Sequence, residues 1–148
     1  MKLLCFVCTG NYYRSRFAEE CFNSIAHKHL SEWRADSRGV GDLACLENSG
    51  PISKYVIREL QKRGYPITNG ARMPERLKKN ETGHYDLFVC LNGDEHESPL
   101  LKEFRIPGEK IICWDILDVE EAPSEIEMER LEQLVRKLTE TLEVNWKG

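Results

Sequence analysis

The stretch Lys2-Leu3-Leu4-Cys5-Phe6-Val7-Cys8-Thr9-Gly10-Asn11-Tyr12-Tyr13-Arg14-Ser15 decides how this chain is read. Lys2 to Cys8 is a short run rich in strand formers, and Thr9-Gly10-Asn11 stops it. A helix is expected to start near Arg14, because Phe17, Ala18, Cys21, Phe22, Ile25 and Leu30 then recur at helical spacing. The unit is strand, tight loop, helix.

Working outward, the chain repeats that alternation. Glu32 to Ser37 reads as a short strand ended by Arg38-Gly39-Val40-Gly41. Val56, Ile57 and Leu60 mark a second helix, closed by Gly64. Residues 66 to 84 are polar and show no clear period. Asp86 to Leu91 is a strand, Glu97 to Phe104 a short helix, and Lys110 to Trp114 another strand. In the last helix Ser124 and Glu127 make a capping-box pattern, and Met128, Leu131, Leu134, Val135, Leu138 and Leu142 form a core-facing stripe. This order predicts an α/β fold of three layers: a four-stranded parallel sheet, flavodoxin-like, with helices on both faces. Ligands in such folds sit beyond the carboxyl ends of the strands, which directs attention to the loop after Cys8.

The chain of 148 residues is expected to form one domain over 1–148. With 41% apolar and 31% charged residues it has the mix of a soluble globular protein. A net charge of -4 and the lack of a basic stripe argue against nucleic acid as partner. The N-terminal apolar run is too short for a membrane span and no small-residue cleavage site follows, so a cytoplasmic location is expected. Of six cysteines, five are expected to be buried, reduced and inert, as in Leu87-Phe88-Val89-Cys90-Leu91 and Ile111-Ile112-Cys113-Trp114. His27, His29, His84 and His96 suggest no metal-ligand set.

Cys8 and Arg14 make a Cys-x5-Arg pattern, for which about half a match arises by chance in a chain of this composition. Context gives it weight. Gly10 and Asn11 allow unusual backbone angles, so successive N–H groups of Thr9, Gly10, Asn11, Tyr12, Tyr13, Arg14 and Ser15 can point inward as an anion nest. The following helix adds unpaired N–H groups and partial positive charge. A planar guanidinium at Arg14 can grip two phosphate oxygens with parallel hydrogen bonds. A Cys8 thiolate below the phosphorus can attack in line, its pKa expected to be lowered by the helix terminus and Arg14. Ser15 can donate its hydroxyl to the sulfur. The plain alternative is a buried strand cysteine next to a surface arginine. A redox Cys5-Phe6-Val7-Cys8 pair fits poorly, since residues three apart on a strand point to opposite faces.

These residues resemble the low-molecular-weight protein tyrosine phosphatase family, whose loop pattern Cys-x-Gly-Asn-x-x-Arg-Ser matches Cys8, Gly10, Asn11, Arg14 and Ser15. Ala18-Glu19, Asp36-Ser37-Arg38-Gly39, Gly70-Ala71-Arg72, Tyr85-Asp86-Leu87 and Trp114-Asp115-Ile116-Leu117-Asp118 give weaker similarity along the chain. The resemblance implies a phosphatase working through a cysteinyl-phosphate on Cys8, with no metal and no organic cofactor needed. Asn11, Ser15 and Ser37 would brace the loop, and Asp118 would be the general acid, with Asp115 as its rival. It implies a phosphorylated protein, phosphotyrosine first, or a small aryl phosphate as partner. A weak homodimer is allowed; membrane and nucleic acid are not implied.

The chain also departs from the family pattern. Val119 follows Asp118 where the family has Asp-Pro-Tyr, and Tyr13 stands where members often carry a second cysteine. Tyr12 fits neither the Ile that goes with phosphotyrosine nor the Thr that goes with phosphoarginine, and Asn92 replaces a usual Asp. Two other functions stay open: a thioredoxin-coupled arsenate reductase, which needs two cysteines where Cys90-Leu91-Asn92-Gly93 has one, and a phosphate-binding module with weak or no turnover.

Overall fold

A computed structural model describes residues 1–29, 32–41, 50–116 and 125–147, with side chains of the last helix described to residue 142. Strand β1 (Lys2–Cys8) leads through the loop into α1 (Arg14–His29); β2 (Trp33–Gly39) and α2 (Lys54–Lys62) follow. Then come β3 (Leu87–Cys90), α3 (Gly93–Ser98), β4 (Ile111–Cys113) and α4 (Glu125–Lys147). The four strands form one parallel sheet in the order β2-β1-β3-β4. This is the architecture expected from the alternation of elements.

Side-chain alternation along β1 builds two cores. Leu4, Phe6 and Cys8 face one side, where they pack with Phe17 and Phe22 of α1, Val56 and Leu60 of α2, and Met128, Leu131 and Val135 of α4. Cys5 and Val7 face the other, with Phe88 and Cys90 of β3 and Leu100, Phe104 and Ile106 beyond α3. The α4 stripe is therefore core, as its spacing indicated. Burying such large apolar side chains contributes roughly 1.5–3 kcal/mol each. Gly64 closes α2 in the left-handed region at φ +81°.

β2 runs through Arg38 and Gly39, two residues past the end expected at Ser37, and two further readings change. α3 starts at Gly93, four residues before the expected Glu97, because the Asn92 side chain accepts from the Asp94 N–H and caps it. A π turn over Pro99–Glu103 continues it, with the proline following the capped turn. Cys113 was expected to be buried and is exposed: β4 is an edge strand, and the thiol turns outward to donate to Glu97 Oε2 at 3.2 Å. Cys5, Cys21 and Cys90 are buried and free. Cys45 and the Ser124 cap lie outside the described residues.

Candidate active site

Cys8 ends β1, one of the two inner strands of the sheet, and the chain then turns at once into α1. The left-handed conformation needed for that turn falls on Asn11 (φ 52°) rather than on Gly10. Asn tolerates this region better than other side chains that carry a Cβ. The loop's carbonyls turn outward. Cys8 O accepts from Val40 N–H (2.9 Å), Thr9 O from Gly41 N–H (3.0 Å), Tyr12 O from Ser53 N–H (3.3 Å) and Tyr13 O from Phe17 N–H (3.1 Å). In a trans peptide the N–H points opposite to the C=O. The N–H groups of residues 9, 10, 13 and 14 therefore point away from those acceptors. Gly41 is held close here: a Cβ on it would lie 2.7 Å from Thr9 Cγ2.

The sulfur of Cys8 lies 2.9 Å from Ser15 Oγ and accepts from the Asn11 N–H at 3.1 Å. Asn11 is the keystone of the loop. Its amide donates to Ser15 Oγ and Ser37 Oγ (both 2.9 Å), and its Oδ1 accepts from Arg72 Nη1 and Glu75 N–H (both 3.0 Å). Phe6 pairs with Ser37 in the sheet register, which puts Ser37 on the α1 face next to Cys8. Ser37 donates to Glu19 Oε1 at 2.5 Å, and Arg72 bridges Ser37 Oγ (2.8 Å) and Glu19 (3.0 Å). Glu20 accepts from the N–H groups of Thr68 and Asn69, and fully buried Arg16 donates to the carbonyls of Pro51, Asn69 and Arg72, each at 2.8 Å. This charged layer fastens the polar stretch around residues 68–76 to α1, behind the loop.

Arg14 is 4% exposed. Its Nη1 donates to Ile116 O (3.0 Å) and to Glu95 Oε2 (3.2 Å), and its Nη2 reaches Glu95 Oε1 (3.4 Å). Partial burial raises the Glu95 pKa, but the Arg14 hydrogen bonds and charge outweigh it and hold the carboxyl below its ordinary value. His96 is wholly buried beside it. Its Nδ1 accepts from the Asn92 N–H (3.2 Å), so the ring proton sits on Nε2, which lies 3.1 Å from Thr9 Oγ1. Thr9 then donates to Glu95 Oε1 at 3.4 Å. Burial, and secondarily the charge of Arg14, pushes the His96 pKa down to about 4, so the ring is neutral near pH 7.

The residues singled out from the sequence thus converge in part. Cys8, Asn11, Ser15, Ser37 and Arg14 surround one loop. Tyr12 is buried, and its ring meets that of Tyr13 edge to face at 4.8 Å. Asp115 lies elsewhere: its side chain is 80% exposed and pairs with Arg130 of α4. Asp118 lies outside the described residues. Cys90 sits on the opposite face of the sheet from Cys8, in register with Val7. The sequence reading gave no role to Glu20, Arg16, Glu95 or His96. Ala18-Glu19 and Ala71-Arg72 were noted as resemblances, without the contact that joins Glu19 to Arg72. The available signal was an Arg-x-x-Glu-Glu spacing on α1, which lines charges along one side of a helix that is otherwise core.

The class is set by a four-stranded parallel α/β sheet in which a cysteine ends an inner strand and a tight loop leads at once into a helix. The model for low molecular weight phosphotyrosine protein phosphatases matches residues 3–146, and the chain belongs to that family. A Streptomyces coelicolor low molecular weight protein-tyrosine-phosphatase is 33% identical over 93 residues, covering 60% of this chain and 52% of that protein. A Synechocystis sp. protein whose name places it in the same family is 29% identical over 111 residues, covering 70% of this chain and 62% of its own length. The chain thus spans less than two thirds of these two curated relatives. A crystal structure of the low molecular weight protein tyrosine phosphatase from T. tengcongensis superposes with a TM-score of 0.82 at 27% identity, covering 96% of this chain and all of that one.

Proposed function

We propose that this chain, acting as one domain in the cytoplasm, hydrolyses phosphate monoesters, with protein phosphotyrosine as the first candidate substrate. The observation that carries the reading is the placement of the Cys8 sulfur. It lies 2.9 Å from Ser15 Oγ and accepts from the Asn11 N–H, at the start of a loop whose carbonyls are turned outward, and the buried Arg14 guanidinium meets Glu95, which Thr9 of the same loop also reaches. In the proposed reaction the Cys8 thiolate attacks phosphorus in line. The S–P bond forms as the P–O bond to the leaving group breaks, and Asp118 gives that oxygen its proton. Water then attacks the cysteinyl-phosphate, inorganic phosphate leaves, and Ser15 with the Asn11 N–H stabilises the departing thiolate. Arg14 and the N–H groups of residues 9 to 15 hold the phosphoryl oxygens throughout. No step calls for a metal or an organic cofactor.

The arsenate-reductase alternative needs a disulfide carried onward from the loop cysteine. Cys90 is the cysteine in the stretch where that chemistry needs two, and it faces the other side of the sheet, which favours the hydrolase reading. The test is hydrolysis of an aryl phosphate by purified protein in the presence of a chelator. Cys8→Ser should abolish turnover while phosphate still binds. Full activity in Cys8→Ser, or activity only with added metal, overturns the reading.

A further inference from the structure

The start of α2 stands against the candidate active-site loop. Ser53, which caps the helix, donates its backbone N–H to Tyr12 O at 3.3 Å. The first exposed side chains beyond that contact are cationic. Lys54 and Arg58 both lie in solvent, and among the described residues neither pairs with an acid. Four residues apart on a helix, they share one side. Tyr55 gathers them, with Lys54 Nζ 5.4 Å and Arg58 Cζ 5.7 Å from its ring centre. The N-terminus of α2 adds partial positive charge at the same end. The neighbouring acids are already matched. Glu59 pairs with Arg63, Glu125 with Lys62, Glu95 with Arg14, and Glu75 with Arg38 and Arg72.

We propose, within the phosphatase reading on which this rests, that Lys54, Tyr55 and Arg58 form a docking surface for acidic residues beside the phosphorylated side chain. The preferred substrate is then a phosphopeptide with Asp and Glu around the phosphorylated residue. The spacing suits such a chain. Four residues of helix rise about 6 Å, which roughly two residues of extended peptide cover. Acids within a few positions of the phosphorylated residue therefore meet both cations.

The overall charge of the molecule acts in the opposite direction. At a net charge of -4 the chain as a whole repels an acidic peptide. A local docking surface and the overall field thus predict preferences of opposite sign.

The experiment compares two phosphotyrosine peptides, one with Asp and Glu on both sides of the phosphotyrosine and one with Asn and Gln in their place. It measures kcat/KM for the wild type, for Lys54→Gln/Arg58→Gln and for Lys102→Gln/Lys110→Gln, with a small aryl phosphate as reference substrate. The last variant removes the same charge elsewhere: Lys102 and Lys110 are exposed, and their neighbours Leu100, Phe104 and Ile111 pack on the face of the sheet away from α2. The expected result is an acidic-peptide preference of about fivefold in the wild type, the scale of two exposed ion pairs, which 1 M salt abolishes by screening charges beyond about 3 Å. Lys54→Gln/Arg58→Gln should lose the preference and keep wild-type activity on the aryl phosphate, and Lys102→Gln/Lys110→Gln should keep both. A wild type that treats the peptides alike or favours the neutral one overturns the proposal. So does a preference that survives Lys54→Gln/Arg58→Gln, one that Lys102→Gln/Lys110→Gln also loses, or an equal loss on the aryl phosphate. Calorimetry with the same peptides in the Cys8→Ser background reads docking without turnover. If the wild type hydrolyses nothing, yet Cys8→Ser binds the acidic peptide about fivefold more tightly and Lys54→Gln/Arg58→Gln removes that difference, the phosphatase reading fails and the docking surface stands. If neither hydrolysis nor peptide binding is found, both fall.

Discussion

Replacing Asn11 tests how the loop is held. The side chain is fully buried, makes four hydrogen bonds, and sits on a backbone at φ 52°. Asn11→Ala removes all four bonds, each with a net contribution of roughly 0.5–1.5 kcal/mol, and leaves the Glu75 N–H without its acceptor. It also puts a Cβ with no compensating polar group in the left-handed region, at about 1 kcal/mol. The expected destabilisation is about 4 kcal/mol, a fall in melting temperature of roughly 12 °C for a chain of this size. Asn11→Gly loses the same bonds but accepts the backbone angle, so it should be about 1 kcal/mol less destabilised than Asn11→Ala. Both should lose phosphate binding, because the Asn11 amide is what joins Ser15 to Ser37. The assay is urea unfolding of both variants, paired with calorimetry against inorganic phosphate. A loss under 1 kcal/mol in Asn11→Ala would refute the keystone role. Equal losses in the two variants would refute the strain argument.

Other expectations follow from the same geometry. Arg14→Lys should cost nearly as much turnover as Cys8→Ser, since an ammonium cannot make the planar fork; activity within a few fold of wild type would remove the clamp role. His96 binds its proton near about 4 when folded and near 6.5 when unfolded, so between those values the unfolded state holds more protons. Its contribution, roughly 3 kcal/mol, should be full above pH 6.5 and be lost as pH falls towards 4, and His96→Gln should flatten that part of the stability–pH curve. Asp118→Asn should slow poor leaving groups far more than good ones in single-turnover kinetics, whereas Asp115→Asn, which only releases Arg130, should not; the reverse pattern would reassign the acid. Mild peroxide followed by mass spectrometry should find Cys8 oxidised to a sulfenic or higher acid with no Cys8–Cys90 bridge, because the two thiols lie on opposite faces of the sheet; such a bridge would contradict that placement.

Much of this was legible along the chain. The alternation of apolar runs and helical stripes sets a parallel sheet, and the strand–loop–helix unit at Cys8 locates the candidate site, because both depend on residues within a few positions of one another. Asn11 and Ser15 were readable for the same reason. The start of α3 was not, since its cap is a single polar side chain at Asn92 ahead of a run with no apolar period. The outward turn of Cys113 was also hidden: Ile111-Ile112-Cys113 looks like a buried strand, and only the sheet order makes β4 an edge.

The sequence by itself determined that a cysteine, a permissive Asn and an arginine share one short loop ahead of a helix. Tertiary structure alone decided what that loop leans on. Glu19 meets Arg72 across 53 positions and Arg14 meets Glu95 across 81. Charged side chains on α1 look like a solvated face until the loop around residues 68–76 covers them. Partners this distant are chosen by the packing of the whole sheet, and a burial that turns a surface charge into a buried one has no local signature in the chain.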